Sequence, residues 1–182
     1  LNGYAPRNEE ESRIYGMKRG LDFIADRQNT ITEENLHQLY QISTGDYLPD
    51  EDRLLPDHFY RHDHVYVVGG EENREGLPAQ QLPDAMKRLV DFANAKDSLN
   101  ELHKAAVLHF AFAYYHPYFD GNGRTARLLH LWYLVQQGYP AALFTPFSRY
   151  IAESKTAYYK AYDRVEKNTL ISGYTDVTPF LS

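Results

Sequence analysis

The chain has 182 residues, with 19 Lys and Arg against 25 Asp and Glu and a formal charge of −6. That length suits one compact domain, and the acidic balance argues against a general binder of nucleic acid or anionic membrane, which needs a cationic face. Cysteine is absent, which excludes a disulfide framework and thiolate chemistry. No run approaches the roughly 18 apolar residues of a membrane span, and the N-terminal stretch lacks the apolar core of a signal peptide, so the expected location is cytoplasmic. The first residue is Leu rather than Met, and further sequence upstream is expected.

In chain order, Ile14, Met17, Leu21 and Ile24 fall at helical spacing and predict an amphipathic helix from about Glu9 to Ala25. Thr30 and Glu33 have capping-box spacing, Thr32 is a second N-cap candidate, and Leu36, Leu39 and Tyr40 share one face of the helix that follows. From Gly45 to about Pro83 the helical period disappears; a short β-branched and aromatic run, His64 to Val68, precedes a turn-rich segment and predicts a β-hairpin or flap. Pro83 and Asp84 open another helix with Met86, Leu89, Val90 and Ala93 inward, and Ser98 with Glu101 makes a second capping box. The helix after it is apolar on almost every side from Ala105 to Phe112, the mark of an element surrounded by others. Pro117 stops it; a polar turn leads into a further buried helix that ends at Gly138, and a last tyrosine-rich helix is expected from about Ala152 to Glu166. The reading is one domain over residues 1–182, with its core at about 9–166 and a weakly patterned C-terminal tail at about 167–182.

The turn between the two buried helices is dense in chemistry: His116, Pro117, Tyr118, Phe119, Asp120, Gly121, Asn122, Gly123, Arg124, Thr125, Ala126 and Arg127. Asp-Gly and Asn-Gly alone would mean a turn. Here Gly121 and Gly123 can aim successive N–H groups at one point just where a helix begins, which makes a nest for an anion, most simply phosphate. Arg124 and Arg127, three apart, can each clamp a phosphate through a guanidinium fork. Asp120 can hold Mg²⁺ against phosphate oxygens, Asn122 can hydrogen-bond a phosphate, and His116 can take a proton from an attacking hydroxyl. No P-loop pattern occurs, and Leu131 stands where an EF-hand needs its twelfth, acidic ligand.

This segment strongly resembles the signature of the Fic (filamentation induced by cAMP) family: His-Pro-Phe, a variable residue, Asp or Glu, then Gly-Asn-Gly-Arg-x-x-Arg. Tyr118 is the one departure, standing where the family usually has Phe, and its hydroxyl is expected to find a partner or solvent. The resemblance implies a mainly α-helical, Fic-type bundle with a short β-hairpin flap, acting as a Mg²⁺-dependent protein adenylyltransferase that moves AMP from ATP to a Ser, Thr or Tyr hydroxyl of a target protein. By the same resemblance His116 is the general base, Asp120 the Mg²⁺ ligand, Gly121, Asn122 and Gly123 the phosphate cradle, and Arg124 and Arg127 the holders of the β- and γ-phosphates. The flap, His64, Val65, Tyr66, Val67 and Val68, would align the target chain as an added strand.

Family members also use UTP or CDP-choline, phosphorylate their targets, remove AMP, or modify themselves. Many are restrained by an inhibitory helix of the form [S/T]xxxE[G/N], supplied from upstream sequence or another chain. The string Thr30 to Asn35 fits that pattern, yet capping explains it as the start of a domain helix. Two readings of other classes stand beside this one. His58, His62 and His64 suggest a metal-dependent phosphohydrolase, although polar-flap histidines are more often solvated, and the domain could bind nucleotide as a regulator without catalysis. His103, His109 and His130 are read as core or site-lining residues, and the tyrosines of the last helix as packing.

Overall fold

The computed structural model describes residues 6–46, 48–67 and 74–181. The elements are α1 (Glu9–Ala25), α2 (Glu33–Thr44), β1 (Tyr66–Val67), β2 (Arg74–Glu75), α3 (Leu82–Asn94), α4 (Glu101–Tyr115), α5 (Asn122–Gln136), α6 (Phe147–Glu153), α7 (Lys155–Ser172) and α8 (Thr178–Leu181). It is a mainly α-helical bundle carrying one small antiparallel hairpin, whose register pairs Tyr66 with Glu75 and Val67 with Arg74.

The core sits where α4 and α5 pack on each other with α1, α2 and α3 around them. Leu36, Leu39, Met86, Ala105, Leu108, Phe112, Leu128, Leu129 and Trp132 are all buried there. The helix starts follow capping chemistry: Asn8 accepts from the Glu11 N–H, Thr32 from Asn35 and Asn100 from Leu102. The cap of α4 is therefore Asn100 rather than Ser98. The string from Thr30 to Asn35 is the N-terminus of α2, with Thr32 as its cap and the Glu33 carboxylate accepting from the Tyr60 hydroxyl at 2.9 Å.

In α1 the expected face turns inward at Met17, Leu21 and Ile24, but not at its fourth position. Ile14 is exposed, while Gly16, Gly20 and Ile24 are buried. The reason is close approach: a Cβ on Gly16 would lie 2.2 Å from the Ser43 carbonyl oxygen, and one on Gly20 2.6 Å from Leu128 Cδ1. Hydrophobic spacing does not reveal a helix that packs through its glycines.

At the C-terminal end, α6 precedes α7, and α7 continues to Ser172, beyond the expected end at Glu166. The segment read as an unpatterned tail contributes α8, whose Phe180 packs against Phe110, Tyr158 and Tyr162. Among the described residues no helix is long and apolar enough to cross a membrane.

Candidate active site

The polar turn joins α4 to α5 and forms one wall of a cleft of about 450 Å³. His116 caps α4 in the left-handed region, at φ 54° and ψ 61°, with its N–H on the Phe112 carbonyl. For a residue with a Cβ this backbone state costs roughly 1–3 kcal/mol, and it persists only where the surroundings fix it. Two arginines do so. Arg61, 2% exposed, donates through Nε to the His116 carbonyl at 2.8 Å and through Nη1 to Asp63 at 2.5 Å, and Nη2 reaches the Leu77 carbonyl. Arg74, on β2, donates to the Tyr114 carbonyl at 2.8 Å and to Ala113 at 3.4 Å, with its guanidinium over the Tyr114 ring. Carbonyls left open at the end of α4 are thereby satisfied by flap residues. Neither arginine was singled out from the sequence, where nothing in its local pattern separates it from a solvated cation.

The His116 imidazole has Nδ1 on the Ala113 carbonyl at 3.3 Å, a contact that places the proton on Nδ1 and leaves the Nε2 lone pair free to accept. Burial pushes its pKa down to about 4; the Ala113 bond opposes that shift, the Arg74 and Arg61 charges add to it, and Asp120 opposes it. At neutral pH the ring is uncharged, as a proton acceptor must be.

Gly121 takes φ +80°, and a Cβ there would meet Thr44 Cγ2 at 2.4 Å, so glycine is required. Gly123 does not need its freedom in the expected way. It lies inside α5 with helical angles, exposed, and its missing side chain instead leaves room beside Arg127 Nη1, 3.3 Å from where a Cβ would stand. Together with Gly121 it leaves the start of α5 bare: no described side chain caps this helix, as none caps α3, α6 or α7, but of these only α5 starts at the turn that walls the cleft. Uncapped first-turn N–H groups at the positive end of a helix are an anion site.

Asn122 departs from expectation. Its side chain is 2% exposed, with Oδ1 accepting from the Tyr118 N–H at 2.9 Å and Nδ2 donating to the Tyr118 carbonyl at 2.7 Å. The amide staples the turn shut, which leaves its backbone N–H for any cradle. Arg124 is also turned aside: Nη1 donates to the Ser43 carbonyl at the end of α2, at 3.0 Å, and of the two motif arginines only Arg127 lines the cleft. Arg127 Nε is buried and has no hydrogen-bond partner among the described residues. Burial lowers its pKa from the ordinary value, the cost of keeping a cation away from water.

Asp120 lines the cleft, with one carboxylate oxygen accepting from the Gly121 N–H at 2.6 Å. A single hard carboxylate beside a phosphate nest suits Mg²⁺, which keeps waters and shares ligands with phosphates. Among the described residues no group of three His, Cys, Asp or Glu could hold a metal by itself.

The three flap histidines point to separate partners: His58 Nδ1 to the Pro56 carbonyl, His62 edge-on to Phe119, and His64 to Glu75. Of the flap residues, Tyr66 and Val67 line the cleft, while His64 and Val65 stand at the entry to the hairpin, and Val68 lies outside the described residues. His103 is exposed rather than core. His109 is buried behind the cleft, with Nε2 2.8 Å from the Tyr158 hydroxyl, and burial together with the neighbouring His130 and Arg127 pushes its pKa down to about 3. The α7 tyrosines do more than pack, since Tyr158, Tyr159 and Tyr162 line the cleft opposite the motif.

The expected hydroxyl partner of Tyr118 is absent among the described residues. The ring is wholly buried, stacked on Tyr40 at 3.6 Å between centroids, and its Oη has no hydrogen bond.

A bundle whose two central helices are joined by this turn, with a hairpin over its mouth, defines a class. The Fic/DOC family model matches residues 30–134, and the chain belongs to that family. Among its relatives are the protein adenylyltransferase Fic of Drosophila willistoni, 30% identical over 74% of this chain and 26% of that protein, and protein adenylyltransferase fic-1 of Caenorhabditis elegans, 30% identical over 93% of this chain and 38% of that protein. The chain spans only about a quarter to two-fifths of the length of these relatives. Two solved structures share the fold: a Fic family protein from Desulfovibrio desulfuricans G20 has a TM-score of 0.72 at 21% identity over 95% of this chain and 49% of that one. The other, a Fic domain containing signaling protein from Bacteroides thetaiotaomicron VPI-5482, has 0.71 at 21% identity over 99% and 69%.

Proposed function

We propose that the protein is an adenylyltransferase that moves AMP from ATP to a Ser, Thr or Tyr hydroxyl of a protein. The observation that carries this is the pairing, in one cleft, of an uncharged His116 with an uncapped helix start and a buried Arg127 Nε that lacks a partner. The triphosphate lies against the first turn of α5, with Arg127 on its terminal phosphates and Arg124 contributing from its place beside Ser43. Mg²⁺, when bound at Asp120, neutralises phosphate charge as it shifts toward the leaving group. The target enters as an extended chain beside β1, with Tyr66 and Val67 at the cleft side.

His116 Nε2 takes the proton of the target hydroxyl. The hydroxyl oxygen bonds to the α-phosphorus, and the bond from that phosphorus to the bridging oxygen breaks, its electron pair leaving with pyrophosphate. The protein contributes position and fixed charge rather than covalent chemistry. Support for AMP transfer over other donors comes from the names of the relatives and from the intact Arg127.

The test is incubation with a cell lysate, Mg²⁺ and ATP labelled at the α-phosphate, with γ-labelled ATP and His116→Ala in parallel. Label from the α form alone, reduced about 10²–10⁴-fold in His116→Ala, is expected, the usual worth of a general base. Label from the γ form alone would make the protein a kinase, and α-label independent of His116 would overturn the assigned base.

A further inference from the structure

Arg61 is a buried guanidinium with no carboxylate within ion-pair distance among the described residues; each of its hydrogen bonds ends on a backbone carbonyl. Glu75 and Asp63 lend the charge support from further off, but a buried cation without a direct ion pair is expensive to hold and calls for an explanation beyond stability. Its acceptors are informative. One is the carbonyl of His116, and the Arg61 N–H also binds the Pro117 carbonyl at 2.9 Å; the others, Asp63 and Leu77, are the entry to and exit from the hairpin.

The hairpin is pressed onto this residue. A Cβ at Gly76 would lie 2.8 Å from Arg61 Nη2, 2.9 Å from Val65 Cγ1 and 3.2 Å from His116 Cβ. The Gly76 N–H binds the Val65 carbonyl at 3.0 Å, and the Leu77 N–H binds Tyr115 at 3.1 Å. One rigid fork thus sets the distance between the edge where a target strand would add and the imidazole that would take its proton.

We propose that Arg61 is the positioning residue that registers the target-docking hairpin against His116. It touches neither nucleotide nor target, so it acts on the transfer step and leaves triphosphate binding alone. A lysine keeps the charge but cannot span three carbonyls, because it lacks the planar fork. This inference rests on His116 being the base of the transfer proposed above.

The experiment compares wild type with Arg61→Lys and Arg61→Met. Three quantities are read: the Kd for ATP, AMP transfer from α-labelled ATP to casein as an unfolded, sequence-neutral acceptor, and amide exchange. Arg61→Met should lose at least about tenfold in kcat/KM for casein and Arg61→Lys somewhat less, with the Kd for ATP within about twofold of wild type. Exchange should accelerate at Gly76 and Leu77 while α5 keeps its protection. Wild-type transfer in both variants would overturn the proposal. So would a parallel loss of ATP affinity and α5 protection, which would make Arg61 a general support of the fold. A wild type that labels neither casein nor any lysate protein defeats the transferase reading alone, and the exchange arm then decides: localised acceleration sustains the coupling, and unchanged hairpin exchange refutes it.

Discussion

Replacing Tyr118 by Phe should make the protein more stable. The side chain is 0% exposed, and its hydroxyl finds no partner among the described residues. A hydroxyl buried without a hydrogen bond costs about 1–3 kcal/mol relative to water. The substitution removes that oxygen and little else, because the turn is held through the Tyr118 backbone by Asn122 and the ring keeps its stack on Tyr40. The vacated space, about one oxygen atom, returns roughly 0.3 kcal/mol of cavity cost at ~24 cal/mol per Å³. A net gain of about 0.7–2.7 kcal/mol remains, which for a domain of this size is a rise of roughly 1–11 °C in Tm. Calorimetry and urea titration of both proteins measure it, with an unchanged m-value showing that only stability moved. An equal or lower Tm in Tyr118→Phe would refute the reasoning, since it would mean that the hydroxyl is satisfied, for example by a buried water.

Acid should destabilise the protein through His109, whose native pKa of about 3 lies below the ordinary histidine value of 6.5. Between those values the unfolded chain binds a proton that the native one refuses, so stability falls as pH drops, by ~2 kcal/mol from pH 7 to pH 5. Urea midpoints across that range should be steeper in wild type than in His109→Leu, and parallel curves would exclude the residue as a source. The two motif glycines should separate: Gly121→Ala meets both a positive φ and the Thr44 methyl and should lose about 3 kcal/mol or more. Gly123→Ala has helical angles and meets only the end of the Arg127 side chain, at 3.3 Å, so it should keep its Tm while weakening ATP binding, a contrast that thermal shift and calorimetric titration resolve.

Helices and motif were legible because they rest on local chemistry. Thr32 caps α2, Pro83 stands in the first turn of α3, and the run from Ala105 to Phe112 has no exposed residue, with Ala106, Val107 and Ala111 half-buried and the rest buried. What escaped were relations between distant segments. Nothing near Arg61 in the sequence indicates that its fork closes on residues 63, 77 and 116. Asn122 carries its motif identity, but whether its amide faces a ligand or the Tyr118 backbone depends on the tightness of the turn. Ile14 misled because the α1 seam excludes side chains, and Phe180 was overlooked because a helix of four residues has no period to detect.

The seam of α1 reaches further than its position suggests. The Ser43 carbonyl that leaves no room for a Cβ on Gly16 is also the acceptor that holds Arg124. A methyl group added on the first helix would have to displace the last turn of α2, and with it the anchor of a motif arginine, although α1 contributes no wall to the cleft. Drift in sequence at this seam is therefore constrained from outside the motif, and a mutation on a helix that bears no motif residue arrives at a motif arginine by a path of two contacts.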